Sequence, residues 1–130
     1  MEFLQPERWR RPRGYSSGVA EQGRMVFVSG MIGWDENGKL VAEDFAAQAR
    51  QALKHIVEVL AEANAKPEHI VRMTWYVMDK KEYVAAYKEI GAAYREVIGR
   101  HYPAMSAVQV AGLIEDGARV EIEATAVVSD

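Results

Sequence analysis

The sequence predicts an α+β fold, a sandwich in which helices cover one face of a β-sheet. Apolar residues recur every three or four positions in two long segments, 43–63 and 79–97, which is the period of an amphipathic helix. Before, between and after these segments lie short apolar or alternating runs of the kind that form strands. Two helices can cover only one face of such a sheet, so we expect the other face to contact another subunit.

The first half of the chain supplies a strand and a long helix. Residues 25–29 form a short apolar run that predicts a buried strand. Asn37-Gly38 predicts a turn, because both residues tolerate a positive φ. Residues 43–63 then carry apolar side chains on one helical face and charged side chains on another, and we expect this helix to stop near Asn64.

The second half supplies a strand, a second helix and two final strands. Residues 71–78 alternate between two faces and are rich in strand-forming types. Asp79, with Glu82 three positions later, resembles a capping box that begins the second helix, and Gly99 is a natural stop. The two final strands are predicted at 106–112 and 119–128.

The chain divides into an arm and one domain. Its 130 residues are enough for a single ordinary domain, which we place at 14–130. Residues 1–13 are predicted to form an irregular arm with a cluster of arginines that could touch phosphate, stay solvated or pack on a neighbouring subunit. The arginines are Arg8, Arg10, Arg11 and Arg13.

Composition argues against several classes of partner. A net charge of −3 gives no general attraction to nucleic acid or to an anionic membrane. No apolar run approaches the roughly 18 residues of a membrane-spanning helix, and the N-terminus lacks the apolar core of a secretory signal. Without cysteine there is no disulfide framework or thiolate nucleophile. We therefore expect a cytoplasmic protein with neither a nucleic-acid nor a membrane partner.

Two carboxylates in the last strand are the clearest candidates for acid–base chemistry. Glu121 and Glu123 alternate with the apolar residues of this strand and so share its other face, roughly 7 Å apart by strand rise. Burial in a cleft between subunits would raise a carboxyl pKa toward neutrality. The alternative is that both are solvated or paired with Arg119 and Arg72. Met105 and Tyr76 are also assigned to this face.

Other chemistry-bearing residues give weaker signals. Tyr15 lies in a flexible, hydroxyl-rich loop and could donate a hydrogen bond to a ligand. His55 and His69 are predicted at the surface, while His101 could lie at the rim of a cleft. The histidines lack metal-ligand spacing and no glycine-rich phosphate loop is present, so we expect neither a metal nor a cofactor.

Five short motifs occur together in this chain. They are Gly-Tyr-Ser-Ser-Gly-Val at 14–19, Val-Ser-Gly-Met-Ile at 28–32, the helical segment 47–53, Pro-Ala-Met-Ser at 103–106 and Glu-Ile-Glu-Ala at 121–124. The set resembles the RidA/YjgF family of reactive-intermediate deaminases over residues 14–128. Two positions depart from the family pattern: Met105 replaces an arginine that binds a substrate carboxylate, and Met31 replaces a glutamine.

The resemblance implies a fold, an assembly and a reaction. The fold is chorismate-mutase-like, with a mostly antiparallel six-stranded sheet and two helices packed on one face, assembled as a homotrimer. Small-molecule substrates would bind in clefts between subunits, where reactive enamines and imines are hydrolysed to a keto acid and ammonia without a cofactor. Glu121 matches the catalytic glutamate that positions or activates water. Tyr15, Ser29 and Ala107 match residues that line the cleft.

The two methionines alter the expected specificity. A bidentate arginine–carboxylate contact is worth roughly 1.5–3 kcal/mol, so its absence would weaken binding about ten- to a hundredfold. A cleft lined by Met31, Met105 and either Trp34 or Tyr87 would be apolar and adaptable. A small 2-aminoacrylate-type imine is therefore a poor expected substrate.

Three functions compete. The first is a RidA-like hydrolase of a larger enamine, imine or aminomuconate-type substrate, with Glu121 handling water and Arg13 meeting a carboxylate. The second is a non-catalytic protein that binds a small ligand in the same trimeric clefts. The third is a nucleic-acid-associated role, which the acidic charge balance disfavours. Retention of Glu121 favours the first.

Overall fold

The computed structural model describes residues 1–129, which form six strands and three α-helices. In chain order the elements are β1 Glu2–Leu4, β2 Gly18–Ala20, β3 Arg24–Met31, α1 Phe45–Glu62, β4 Ile70–Val77, α2 Lys80–Ala85, α3 Tyr87–Val97, β5 Ala104–Gln109 and β6 Val120–Val128, with a short 3-10 turn at Pro67–His69 before β4. Every strand and helix predicted from the sequence has a counterpart here, and the α+β class is confirmed.

Four strands form the main sheet, in the order β3-β6-β4-β5. Strand β6 pairs antiparallel with both β3 and β4, whereas β4 and β5 are parallel. A parallel pair needs a crossover connection, and α2 and α3 supply it. Because paired residues in neighbouring strands project to the same face, this register decides which side chains share a surface.

The other two strands form a separate small sheet at the N-terminus. Strand β1 pairs antiparallel with β2, with Phe3 opposite Val19. The expected six-stranded sheet is therefore divided into sheets of four and two strands, and the segment predicted to be an irregular arm contains β1. Strands of three residues are too short to show a reliable alternation in the sequence.

Helix α1 packs across β6 and β3 and buries its apolar stripe against them. Asp44 caps its N-terminus by accepting a hydrogen bond from the backbone N–H of Ala47 at 2.9 Å. Asn64, with φ of 55°, ends it in the left-handed conformation that asparagine tolerates. Both ends fall within two residues of their predicted positions.

The second predicted helix is broken into α2 and α3. Asp79 begins α2 as expected, accepting a hydrogen bond from Lys81 N–H at 2.8 Å. At Ala86 the N–H is shared between the carbonyls of Glu82 and Tyr83, which tightens the turn and re-aims the chain. No proline or glycine marks this break, so it could not be predicted from the sequence. Among residues 1–129, no helix has the length and apolarity needed to cross a membrane.

The core lies between the helices and one face of the main sheet. Its largest fully buried side chains include Leu53 and Ile56 of α1, Met73 of β4 and Ile122 of β6. The opposite face carries uncovered apolar residues: Phe27 is 69% exposed and Met25 is 56% exposed. Exposed apolar area of this kind is typical of a surface that another subunit covers.

Candidate functional site

A cleft of about 750 Å³ opens between α3 and β5. This is within the range of roughly 300–1,000 Å³ found for small-molecule sites. Its walls come from the loop before β2, from β4 and α2, from α3 and from β5. The lining residues are Arg13, Gly14, Tyr15, Trp75, Tyr83, Tyr87, Ile90, Gly91, Tyr94, Arg95, Tyr102, Met105, Ser106 and Ala107.

Aromatic rings make up much of the cleft wall. Five of the six tyrosines of the chain line it, together with Trp75. Tyr83 and Tyr87 meet edge to face with ring centroids 5.2 Å apart, and Tyr94 stacks on Tyr102 at 5.5 Å. Such walls favour a flat, conjugated ligand over a small aliphatic one.

Two tyrosine hydroxyls in this wall stay neutral at ordinary pH. Burial raises the pKa of Tyr94 and that of Tyr83 above the usual value for a phenol. The Tyr94 hydroxyl donates a hydrogen bond to the backbone carbonyl of His101 at 2.6 Å. The indole N–H of buried Trp75 has no hydrogen-bond partner among the described residues, so the wall holds one unsatisfied donor.

The N-terminal loop is fastened to the cleft through Ser16. The Ser16 N–H donates to the Pro103 carbonyl at 2.9 Å, and its hydroxyl donates to the Tyr102 carbonyl. An isolated parallel β-bridge also joins Ser16 to Ala104. These contacts hold Arg13 and Tyr15 beside the start of β5, which the sequence motif alone could not position.

Met105 lies on the helix side of the sheet, where it packs against the core and lines the cleft. It pairs with buried Met73 in the parallel β4–β5 ladder. Its assignment to the open sheet face was therefore wrong, because the sequence does not reveal the register of a parallel pair. Ala107, in register with Trp75, lies on the same side.

Glu121 lies on the opposite face of the sheet. Its strand neighbours Val120 and Ile122 are fully buried under the helices, so the carboxylate projects away from them. It rests against Gly30: a Cβ built there would lie only 2.7 Å from Glu121 Cδ. A residue larger than glycine would displace this carboxylate. Ser29, beside Gly30 and exposed, belongs to the same surface region.

Glu123 is also on this open face, where it accepts a hydrogen bond from the Tyr76 hydroxyl. That hydrogen bond, with the negative charge of Glu123, raises the pKa of Tyr76. The alternative in which the two glutamates pair with Arg119 is not found, since Arg119 instead forms an ion pair with Glu82 at 3.0 Å. The two carboxylates thus differ: Glu123 accepts a hydrogen bond from a phenol, whereas Glu121 lies against the backbone of Gly30.

Met31 occupies a third location. It pairs with Ile122 after a bulge in β3 and lines a separate concavity with Trp34 and His55. His55, predicted at the surface, is 7% exposed and stacks on Trp34 with ring centroids 3.9 Å apart. Its Nε2 lies 2.7 Å from the Trp34 carbonyl oxygen. These contacts are structural, and neither Met31 nor Trp34 lines the aromatic cleft.

The residues singled out in the sequence therefore separate into three groups. The cleft brings together Tyr15, Tyr87, Met105 and Ala107; the open sheet face holds Ser29 and Glu121; Met31 stands apart. His101, which the sequence allowed at the rim of a cleft, is not among the residues that line this cleft, and its Nε2 lies 2.6 Å from the Ile70 carbonyl oxygen.

Several cleft residues were missed. Tyr83 and Tyr94 fall on the apolar stripe of the predicted second helix, and this stripe is shared between the core and the cleft. Arg95 could not be assigned to the cleft from the sequence, because a single arginine on the charged side of a helix is typical of an ordinary surface residue.

Comparison with known proteins identifies relatives of this fold. A family model described as endoribonuclease L-PSP matches residues 9–128. A protein from Salmonella typhimurium named 2-iminobutanoate/2-iminopropanoate deaminase is 38% identical over 113 residues, covering 87% of this chain and 86% of that protein. The human protein of the same name is 34% identical over 105 residues, covering 80% of this chain and 73% of that protein.

Solved structures agree. A Rid-family protein of unknown function from Yersinia pestis superposes with a TM-score of 0.84 at 34% identity, with 98% of each chain covered. Escherichia coli TdcF with bound serine has a TM-score of 0.70 at 32% identity, covering 99% of this chain and 100% of that one. With the model spanning nearly the whole chain and relatives above 30% identity, this protein belongs to the endoribonuclease L-PSP family, the RidA/YjgF family that its sequence motifs resemble.

Proposed function

We propose that this protein is a hydrolase of reactive imines or enamines that carry a large, conjugated side chain, acting without a cofactor in clefts between the subunits of a homotrimer. Relatives named as 2-iminobutanoate/2-iminopropanoate deaminases support the reaction class. The size and aromatic lining of the cleft support the larger substrate.

The observation that carries the proposal is the division of the predicted site between two faces of one sheet. The cleft contains no acidic side chain among the described residues, yet water addition needs a general base within hydrogen-bond reach. Glu121 of the same chain projects from the far face of the sheet. A second copy that brings its open face to this cleft would supply the missing carboxylate and would also cover Phe27.

The reaction needs few groups. A water molecule adds to the carbon of the C=N bond, one of its protons passes to the nitrogen, and collapse of the resulting carbinolamine forms a carbonyl and releases ammonia. An enamine first takes a proton on carbon to become the imine. Glu121 would hold the water and accept its proton, then return it to the departing nitrogen. The aromatic wall would orient the side chain.

The test is keto-acid release from imines generated in place by an L-amino-acid oxidase. We expect the protein to accelerate release from the phenylalanine-derived imine more than from the alanine-derived imine. Replacing Glu121 with Gln removes the base while keeping its shape, and should lower the rate on the order of a hundredfold, the lower end of what general-base catalysis contributes.

Glu123→Gln is the matched control, because it alters a carboxylate two residues away on the same strand face. Since Glu123 already accepts the Tyr76 hydroxyl, we expect less than about a fivefold change, below the lower end of a general-base contribution. Unchanged activity in Glu121→Gln would refute the mechanism. Inertness toward every imine, with tight binding of the keto-acid products, would instead support the non-catalytic binder.

A further inference from the structure

Arg95 places a guanidinium group at the cleft although Met105 contributes none. It lies in the last turn of α3, is exposed and lines the cleft together with Gly91 one turn earlier. Its Nη1 folds back over Gly91: a Cβ built on that glycine would lie 3.3 Å away. The missing side chain at Gly91 thus lets the guanidinium lie against the helix beside the aromatic wall.

The charge of Arg95 is available to a ligand. The ion pairs formed among residues 1–129 join the N-terminal amine to Glu21, Arg50 to Glu96 and Arg119 to Glu82. Arg95 takes part in none of them, and Arg13, the other cation lining the cleft, is also unpaired within that range. A guanidinium beside an apolar wall, with no acidic neighbour in the cleft lining, favours a carboxylate.

We propose that Arg95 is the specificity-determining residue of this cleft, binding the carboxylate of a ligand whose flat, conjugated body lies on the tyrosine wall, with Arg13 assisting from the N-terminal loop. The carboxylate-binding charge is then carried by a helix rather than by β5. A ligand that contacts both Arg95 and the aromatic wall needs a carboxylate and a flat, unsaturated body, and a three-carbon acid has only the carboxylate. This assignment rests on the proposed function for the location of the substrate but does not require turnover.

Calorimetric titration with phenylpyruvate, a stable aromatic keto acid, tests it. The neutral ketone 4-phenyl-2-butanone serves as the ligand without a carboxylate, and pyruvate as the acid without a ring. We expect phenylpyruvate to bind more tightly than either. Arg95→Gln should weaken phenylpyruvate binding on the order of tenfold, the value of one charge-assisted contact, and leave 4-phenyl-2-butanone within about twofold.

Three further variants sharpen the result. Arg100→Gln removes an exposed arginine outside the cleft and should change neither affinity. Arg95→Lys keeps the charge without the planar fork and should retain part of the preference for the acid. Arg13→Gln should weaken phenylpyruvate less than Arg95→Gln does. Because Arg95 is exposed, Arg95→Gln should fold, and a thermal melt of each variant verifies this.

Some results would overturn the assignment. They are equal binding of phenylpyruvate to the wild type and Arg95→Gln, an equal loss of both ligands in Arg95→Gln, or pyruvate binding as tightly as phenylpyruvate. Failure of the deaminase hypothesis looks different: phenylpyruvate would still bind with the Arg95 dependence described, while imine hydrolysis would be absent or insensitive to Glu121→Gln.

Discussion

Met105, near the start of β5, lines the cleft with its thioether and also packs against the core. A side chain in this position is held by its register with Met73 and has no freedom to move to the other sheet face. It shapes the apolar side of the cleft while the charges lie on α3 and on the N-terminal loop. The specificity of the site is therefore set by a small number of separate positions.

Replacing Met105 with arginine tests how far this residue determines which substrate the cleft accepts. A guanidinium there would provide a carboxylate contact close to β5. We therefore expect kcat/KM for the small alanine-derived imine to rise about tenfold through a lower KM. Met105→Leu, which keeps size and apolarity, should leave the preference for the larger imine unchanged. If Met105→Leu gives the same gain, the gain does not come from the added charge. A thermal melt of each variant shows whether an arginine is tolerated at this half-buried position.

The sequence predicted the correct sheet face for Glu121 and the wrong face for Met105, for a physical reason. Strand β6 has a strict alternation that assigns each side chain to a face. Strand β5 has no such alternation, since four of its six residues are small or polar, so only its pairing with β4 decides its faces. Long-range register is not encoded in a six-residue pattern.

At the scale of elements, α2 and α3 decide where the cleft opens. The break at Ala86 separates Tyr83 on α2 from Tyr94 on α3, and both face the cleft from different helices. A continuous helix was predicted because the apolar spacing runs without interruption across the break. Helix α3 packs against α1, and neither proline nor glycine marks the bend in the sequence.

Tyr94 links the stability of α3 to pH. Burial raises its pKa in the folded protein above that in the unfolded chain, so its contribution is complete below about pH 10 and is lost as pH rises further. Tyr94→Phe removes this titration and the hydrogen bond to His101. We expect it to lower the free energy of unfolding by about 1 kcal/mol at pH 7. The deficit should shrink above pH 10, where the wild type loses up to about 1.4 kcal/mol per pH unit from this group.

Urea titrations of both proteins at pH 7 and at two values above pH 10 measure the effect. Tyr15→Phe, in an exposed loop, controls for the loss of one phenol. A constant difference between Tyr94→Phe and the wild type at every pH would show that burial of Tyr94 does not couple to unfolding.

At the scale of the whole molecule, the two faces of the main sheet divide the proposed site. The open face carries Glu121 beside Gly30 and the exposed side chains of Phe27 and Met25, while the cleft lies on the helix side. The sequence predicted this division of faces from the number of helices alone, since two amphipathic segments cannot cover a sheet on both sides. It could not predict which cleft a second copy would complete, because that depends on surfaces that only the folded chain brings together.

Phe27 is the position where assembly can be tested most directly. It is 69% exposed and lies in register with Thr125 on the open face, so a subunit that covers this face must bury the ring. Phe27→Glu introduces a charge that would have to be desolvated there, and we expect sedimentation velocity to show a homotrimer for the wild type and a monomer for the variant.

Val84→Glu is the matched control, since Val84 is 53% exposed on α2 away from that face; it should remain trimeric and active. Imine hydrolysis should disappear with the trimer in Phe27→Glu, because Glu121 would no longer reach a cleft. A monomeric Phe27→Glu protein with full activity would show that one chain completes its own site and would refute the shared cleft.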